Sequence, residues 1–549
     1  MRWTDSPLVV PSQCGCEELL TRFLEMRGIP AGAAQENFLR PKLSSLESPE
    51  EIPGITDGVE LLFETIQGKK QVLIFSDYDV DGIVSATVMK LFLTASGLES
   101  VRTFLPDRQQ EGYGLTKAAM ERALAAGSPP EVFIALDCGT NSASEVAMLQ
   151  DAGVRVLILD HHQLSDPHPQ ADAFVNPQRG VTGHHFCTAG LVFKFCHAYQ
   201  RAKGGRERFD LRSVLDLVAL ATVADLVPLR GDNRIFVREG LRRLCDTVHP
   251  GLRRLMEVSG VGQRTPTSFT LGFQLGPRIN AGGRVGDASS GLDLLLSHHP
   301  TETARLAREL DLQNRKRQEL EAIALGEAEE QIGPAPAGLG LVAASERWHP
   351  GVVGIVAARL VRKFHRPSFV IALNSQGEGK GSGRGLPGVS LMDALRHCSP
   401  CLRGFGGHDA AAGIVIEAGR IAEFGDLFQA WLEKHVAPEA FEKTLPIDIQ
   451  LCPTHLTPDM ARTLAELAPF GKGNPEPTLR IDGVQLDGAP RVFAERHLKF
   501  RAKAGGKKFE VVGFDFAKRI PDRETFDLAG IWEWDEYTDG PRWRMTDWQ

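Results

Sequence analysis

Short continuous apolar runs alternate along the first half of the chain with helically spaced ones, and the junctions between them are acidic. Residues 71–75 (QVLIF) form one such run, followed by Ser-Asp-Tyr-Asp-Val-Asp-Gly and then a helical pattern over 83–93. A run of that length, rich in branched side chains, predicts a buried strand, an acidic loop and a helix. The same order recurs at 132–136 before Asp137-Cys138-Gly139, and at 154–159 before Asp160-His161-His162. Three such strands predict a parallel, doubly wound α/β sheet. In open sheets of this kind ligands gather beyond the carboxyl ends of the strands, so the polar ends should converge although about 80 residues separate the first from the last. Asp225 follows a further apolar stretch, 214–220, and is a fourth candidate for the same place.

Residues 302–331 are rich in Ala, Leu, Glu, Arg and Gln and contain no proline. They predict one long helix of ~45 Å, a rod between two domains, stopped by Gly333-Pro334-Ala335-Pro336. Beyond it, strands at 339–343 and 368–373 flank a helix at 352–363, with glycine-rich loops at 377–388 and 404–413. Short alternating strands at 479–484, 498–502, 509–514 and 528–534 predict a small β-barrel. The expected organisation is an N-terminal extension (1–50) packing on a catalytic α/β domain (51–300), the long helix (301–333), a smaller α/β domain (334–440) and an OB-like barrel (441–549).

Bulk composition narrows the class. The 549 residues exceed the roughly 100–200 of one domain, and 42% apolar with 24% charged residues is ordinary for a globular protein. Asp5, Pro7 and Pro11 break the start of the chain, which does not read as a secretory signal. No apolar run approaches the ~18 residues of a membrane helix, so no membrane partner is expected. Nine thinly spread cysteines argue for reduced thiols and a cytoplasmic address. A net charge of −8 weighs against a nucleic-acid partner when taken alone. A metal-dependent nuclease must cluster carboxylates, however, and bound cations reverse the local field.

Asp77, Asp79 and Asp81 alternate, and on a strand would share one side. Three like charges so close are costly without counter-cations, and Gly82 permits a tight turn into the helix. A calcium-binding EF-hand loop requires a bidentate Glu at its last position, which here falls on Val88. A solvated acidic loop is the plain alternative for this motif standing alone, and Asp137 alone reads as a helix cap as readily as a ligand. The adjacent His161 and His162 straight after an apolar strand are more telling, because at least one imidazole must enter the crevice. Carboxylates with a histidine suit Mn²⁺ or Mg²⁺ better than zinc, and two such ions ~3.5–4 Å apart suit in-line attack on phosphorus.

With these residues in place, the D-x-D-x-D-G motif, the aspartate of LDCG, the DHH triplet and the aspartate of TVADLVPL resemble the four metal motifs of the DHH phosphoesterase superfamily. Further segments resemble the RecJ family within it: Pro106-Asp-Arg108 with Glu111-Gly-Tyr-Gly114, Gly276-Pro-Arg278-Ile-Asn280, Trp348-His-Pro-Gly-Val-Val-Gly354, Gly381-Ser382-Gly-Arg384, Gly406-Gly-His408 with Ala-Ala-Gly413, and Pro469-Phe-Gly-Lys-Gly-Asn-Pro475. The resemblance runs from about residue 38 to the end. It implies a DHH domain, a DHHA1 domain and an OB-like domain, and a metal-dependent exonuclease that degrades single-stranded DNA from its 5′ end to mononucleotides in recombination and repair. It implies two ions, Mn²⁺ or Mg²⁺, held by Asp77, Asp79, Asp81, Asp137, His161 and Asp225, with Asp137 as the bridge. Asp77 either binds an ion or orients its neighbours from behind. His162 would sit by the scissile phosphate as a donor or proton carrier, making His162, Asp137 and Asp79 the catalytic set. Arg108, Arg278, Asn280, Ser382, Arg384 and His408 would bind the strand, the arginines as phosphate forks; for each arginine alone, a surface salt bridge is the plain alternative. A single-strand-binding protein and a RecQ-type helicase are the implied partners.

The chain departs from the family pattern at Gly385, where a second serine commonly stands, at Ser76 in place of a glycine, and at Gly282-Gly283 in place of alanine. Cys398 and Cys401 have C-x-x-C spacing but no second pair, which argues against zinc. His184-His185 reads as a solvated loop, and Trp532, Trp534, Trp543 and Trp548 pack a barrel or stack on bases. Two rival readings are a pyrophosphatase, exopolyphosphatase or short-oligonucleotide hydrolase with the same metals, and a non-catalytic replication scaffold. The barrel argues against the first and the complete ligand set against the second.

Overall fold

The computed structural model describes the chain except residues 5–6, 109, 113, 165, 181–184 and 263–264. Tyr113 of the EGYG motif and His184 thus lie outside the described residues. The chain forms two compact units, residues 3–283, 288–308 and 446–549 in one and 1–2, 284–287 and 309–445 in the other.

The larger unit is built on a five-stranded sheet of Val101–Phe104, Val72–Ser76, Val132–Leu136, Arg155–Leu159 and Ala173–Val175, in that spatial order and all parallel. Every residue of Val72–Ser76 and Val132–Leu136 is buried, as a strand covered by helices on both faces requires. Numbered along the chain, the order is 2-1-3-4-5, so the winding reverses between Val72–Ser76 and Val132–Leu136. That is the switch point where the ends of neighbouring strands leave a crevice. The edge strands Val101–Phe104 and Ala173–Val175 are short and were absent from the sequence pattern.

The same unit holds a closed barrel of Leu479–Leu486, His497–Ala504, Lys507–Gly513, Gly540–Trp548 and Phe526–Asp535, sealed by pairing of Gln485 and Leu486 with Lys503 and Ala502. Trp532 and Trp543 are buried inside it, so packing accounts for both. The apolar face of the N-terminal helix Cys16–Met26 (Leu19, Leu20, Phe23 and Leu24) joins this barrel's core, together with the helix Pro458–Ala465. The strand Leu8–Val9 pairs in parallel with Ile449–Gln450. Residues 1–50 therefore bury their main apolar face in the barrel. They reach the parallel-sheet part at Phe38, whose carbonyl accepts from Arg234, and at Glu47, whose N–H donates to Asp232.

The helix Pro300–Ile332 is continuous over 33 residues, or ~50 Å, and ends at Gly333 in a left-handed conformation (φ 79°). No helix among the described residues is long and apolar enough to cross a membrane.

The smaller unit carries a mixed sheet in the order Leu402–His408, Ala411–Glu417, Glu378–Arg384, Ser368–Leu373 and Leu341–Ser345. The glycine-rich stretches read as loops at 377–388 and 404–413 are largely strands of this sheet. Gly379, Gly381 and Gly383 stand opposite Leu373, Ile371 and Phe369, whose side chains occupy the space that a Cβ would need. The neighbouring strands thus supply the apolar bulk of that face, which a strand pattern sought in 377–388 itself cannot contain.

Arg234 ties the larger unit together. Buried on the helix Gly231–Leu244, it donates to the carbonyls of Phe38 (2.7 Å), Leu467 (3.0 Å), Ala468 (2.8 Å) and Pro469 (3.3 Å). Burial, and secondarily Arg238, lowers its pKa to about 9. Arg234→Met removes this donor from all four carbonyls, of which Leu467 and Pro469 keep Asn474 Nδ2 (2.9 Å to each), and should cost about 3 kcal/mol, read as a fall in the urea midpoint. Arg234→Lys should recover only part of the loss, since an ammonium cannot span four acceptors in a planar fork.

Candidate active site

The acids and histidines sit where the strands stop. The first residue after each strand continues the ladder onto its neighbour: Asp77 N–H donates to Leu136, Asp137 N–H to Leu159 and Asp160 N–H to Val175. This staircase places the three aspartates side by side at the sheet's rim. Asp137 adopts a left-handed backbone (φ 60°), uncommon outside glycine and most tolerable for Asp and Asn. Only Asp77 of the first motif follows the strand directly. Asp79 is the N-cap of the helix Val80–Ala95, accepting from the N–H groups of Asp81 and Gly82, and Asp81 lies in that helix's first turn. The three acids therefore do not share a side by strand alternation. A Cβ at Gly82 would stand 2.2 Å from the Asp77 carbonyl oxygen, which requires glycine there.

Three overlapping groups could each hold a metal ion: Asp77, Asp79 and Asp137; Asp137, His161 and His162; and Asp81, His161 and Asp225. His161 Nε2 lies 3.4 Å from Asp137 Oδ1, 3.8 Å from Asp225 Oδ2 and 3.9 Å from Asp81 Oδ2. Asp225 caps the C-terminus of the buried helix Leu215–Ala224, so its apolar approach is helical. All the acids and histidines expected to bind metal thus come together.

The electrostatics are those of a crowded anionic pocket. Burial, followed by the neighbouring Asp79 and Asp137, pushes the Asp77 carboxyl well up. Both its oxygens are buried without a hydrogen-bond partner. Burial and then Asp137 raise Asp79 to about 6, and burial with Asp137 and Asp79, against His161, raises Asp225 to about 7. For His161 burial opposes protonation, but Asp137, Asp225 and Asp81 outweigh it and raise its pKa. Orphaned carboxylate oxygens beside further carboxylates and one imidazole fit hard divalent cations. Asp160 differs: burial opposes ionisation, but its bond to His162 Nδ1 (2.6 Å) prevails and holds it low, while Thr140 and His161 N–H also donate to it.

Around this cluster, Arg108 lies over the Tyr78 ring (5.4 Å to its centroid) and Arg278 donates to the Gln274 carbonyl at 2.6 Å. Asn280 Oδ1 accepts from Val80 N–H at 3.0 Å, fixing the helix start between Asp79 and Asp81. Ser76, at the position of a frequent glycine, donates to the Gly82 carbonyl at 2.7 Å, and Gly283 backs onto Tyr78. His185 is exposed in a loop.

Ser382, Arg384 and His408 belong to the smaller unit. Arg384 and His408 both align with Ala411 from the strands on either side of it, so the two side chains share one face. Arg384 Nη1 donates to Ser382 Oγ at 2.9 Å. The helix Val353–Phe364, without a side-chain cap, begins here: a Cβ at Gly354 would stand 3.0 Å from Ser382 Oγ and 3.1 Å from Arg384 Nη2. Gly385 N–H donates to the Ala410 carbonyl, and a Cβ there would stand 3.1 Å from the Asp409 carbonyl oxygen, leaving little room for serine. Cys398 and Cys401 are both buried.

Comparison with known proteins agrees with this layout. Residues 71–222 match the DHH family, N-terminal domain, residues 338–434 the DHHA1 domain, and residues 447–546 the RecJ OB domain. The single-stranded-DNA-specific exonuclease RecJ of Dickeya dadantii is 34% identical over 522 residues, covering 90% of this chain and 89% of that protein. The chain belongs to the RecJ family. The Escherichia coli RecJ is 32% identical over 525 residues, with the same coverage of 90% and 89%. The crystal structure of RecJ from Thermus thermophilus in complex with Mn²⁺ matches this RecJ-family chain with a TM-score of 0.84 at 29% identity, over 100% of this chain and 79% of that one. The Mg²⁺ complex from the same source matches with a TM-score of 0.78 at 27% identity, over 100% and 78%.

Two residues of this RecJ-family site, Thr188 and Asn176, carry no motif in the sequence, and Asp160 is legible only as part of the DHH triplet, without a role of its own. Thr188 opens the helix Thr188–Lys203: its hydroxyl donates to Asp137 Oδ1 (2.9 Å), and its N–H and that of Ala189 hold the two oxygens of Asp81 (2.6 and 2.8 Å). Asp160 orients His162, as above. Asn176, at the end of the fifth strand, donates to the His162 carbonyl and to Thr140 Oγ1. The signal available was the recurring polar residue at a strand end, here behind a run of only three residues, Ala173–Val175.

The two outlying carboxylates predict opposite effects. A buried carboxyl whose pKa is raised on folding destabilises the fold once ionised, whereas one whose pKa is lowered contributes stability above its unfolded pKa of about 3.9. In chelator at pH 7, Asp77→Asn should therefore raise the thermal midpoint by a few degrees, and Asp160→Asn should lower it by several. Scanning calorimetry of the two variants checks both signs.

Proposed function

We infer that this chain is a single-stranded-DNA-specific exonuclease, a hydrolase that degrades the strand from its 5′ end to mononucleotides. The observation that carries the reading is the rim cluster of five carboxylates and His161, with Asp137 and His161 each common to two ligand groups. It stands within a chain that keeps the DHH, DHHA1 and barrel parts of its exonuclease relatives. Asp77, Asp79, Asp81, Asp137, His161 and Asp225 would hold two divalent cations, Mn²⁺ or Mg²⁺. Bound there, the cations supply the positive charge and the water acidity that in-line attack on a phosphodiester needs.

The chain's own groups do the rest. The first N–H groups of Thr188–Lys203 fix Asp81, and the Thr188 hydroxyl fixes Asp137. Asp160 engages His162 Nδ1 and raises its pKa against the opposing effect of burial, so the opposite ring nitrogen can deliver a proton to the leaving oxygen. Arg108 and Arg278 offer charge to the strand's phosphates, while Asn280 acts by fixing the backbone at Val80. Ser382, Arg384, His408 and the uncapped start of Val353–Phe364 form a second anion-binding surface, suited to a strand phosphate.

A pyrophosphatase-like or scaffold role is not favoured, since the relatives matched over nine-tenths of the chain carry exonuclease names. A cytoplasmic address suits the nine free cysteines. A single-strand-binding protein and a RecQ-type helicase, in recombination and repair, are proposed as partners on the resemblance alone.

With Mn²⁺, a 5′-labelled linear strand should yield labelled mononucleotide at once, and a 3′-labelled strand should release its label last. Circular single strands should persist, and their degradation at the linear rate would exclude an end-dependent enzyme. Asp79→Ala should lower the rate by roughly 10²-fold or more. The phosphate surface is tested separately: if the wild type prefers a 5′-phosphorylated strand to a 5′-hydroxyl one, Arg384→Ala should erase most of that ratio in kcat/KM.

A further inference from the structure

Among the described residues, Phe269 and Phe273 are large aromatic side chains left 61% and 67% exposed. Their rings stack on one another, centroids 5.0 Å apart and planes 20° from parallel. Aromatic rings normally bury most of their area, so a paired, outward-facing couple calls for an occupant.

The backbone beneath them is equally unusual. Thr270–Leu275 is a π-helical turn running directly into the α-helix Gly276–Val285. Pro277 lacks an N–H and in α geometry would crowd the carbonyl of Phe273, four residues back; the wider turn relieves that clash. The turn also packs against the active-site elements. A Cβ at Gly272 would stand 3.2 Å from Val223, and one at Gly276 would stand 3.6 Å from Ala224 and 3.9 Å from Val80. Ala224 precedes Asp225, and Val80 lies between Asp79 and Asp81. The aromatic couple thus rides on the same short segment that abuts both halves of the acid cluster.

We propose that Phe269 and Phe273 form a platform on which an unpaired nucleobase of the DNA strand stacks, a base-holding subsite beside the active site. The proposal rests on the exonuclease reading above and specifies how that site holds its substrate. The local chemistry matches the alternation within a single strand. Flat apolar rings face a base, and the Arg278 guanidinium, folded back onto the Gln274 carbonyl of the same turn, brings a cation for the adjoining phosphate. A paired base hides its face within a duplex, whereas an unpaired one exposes it. The platform therefore favours single strands, and it ignores sequence because every base has a π-face. The two rings already touch, so the base stacks on the outside of the pair.

The test is equilibrium binding of a labelled, 5′-phosphorylated oligodeoxynucleotide in chelator, read by fluorescence anisotropy, with degradation in Mn²⁺ measured alongside. Phe269→Ala/Phe273→Ala should raise Kd roughly tenfold or more. Phe273→Trp should retain wild-type affinity, whereas Phe269→Leu/Phe273→Leu, which keeps apolar area without a π-face, should bind as weakly as the alanine variant. On an oligonucleotide with abasic sites throughout its 5′ half, wild type and alanine variant should bind alike. An unchanged Kd in the alanine variant overturns the platform. So does wild-type affinity in the leucine variant, which would mark an apolar contact of another kind. Wild-type protein that binds the strand through these rings yet leaves it intact in Mn²⁺ would instead overturn the exonuclease reading.

Discussion

Like charges held close together in a buried place are the constraint around which the larger unit is arranged. Asp81, Asp137 and Asp225 stand about His161, with Asp77 and Asp79 on the far side of Asp137; Asp77, Asp81 and Asp137 are buried, and in a low-dielectric crevice the mutual repulsion of the acids is poorly screened. The fold offsets part of it with backbone dipoles. The start of Val80–Ala95 receives Asp79, and the start of Thr188–Lys203 receives both oxygens of Asp81. Asp77 receives no hydrogen bond to either oxygen, so the protein leaves that charge for something else to neutralise.

The parallel sheet is what makes such crowding tolerable. Its strands Val72–Ser76 and Val132–Leu136 are wholly buried, and the strand ends are joined by the backbone staircase from Asp77 to Asp137 to Asp160. Asp77 and Asp137 therefore cannot relax apart without unzipping the sheet, while helix ends hold Asp79, Asp81 and Asp225. The smaller unit solves a different problem. Its glycine-bearing strand lets bulky neighbours cover one face while Ser382 and Arg384 meet the start of a helix on the other.

The fold is legible in the sequence where a single property dominates. Strands 72–76, 132–136 and 155–159 are nearly continuous apolar runs, and each ends in the residues that define the site, so both were legible. The motif at 77–82 misled in detail, because alternation along a strand does not survive passage through a cap into a helix: Asp79 and Asp81 are placed by helix geometry. The stretches at 377–388 and 404–413 read as loops because glycine lacks the side chains that mark a strand, although pairing with Ser368–Leu373 and Ala411–Glu417 supplies them. Thr188 and Asn176 carry no motif of their own, and only the tertiary fold brings them to Asp137 and His162.

The pairing of Leu8–Val9 with Ile449–Gln450, and the burial of Leu19, Leu20, Phe23 and Leu24 in the barrel, has a consequence for biosynthesis. Residues 8–24 leave the ribosome long before residues 449–545, among which they find their packing partners. At ~5–20 residues per second that interval is roughly 20–90 s, during which an amphipathic helix is exposed without its cover. Assembly of the barrel thus joins segments more than 400 residues apart along the chain, and it waits for residues 449–545 however early the parallel sheet has formed.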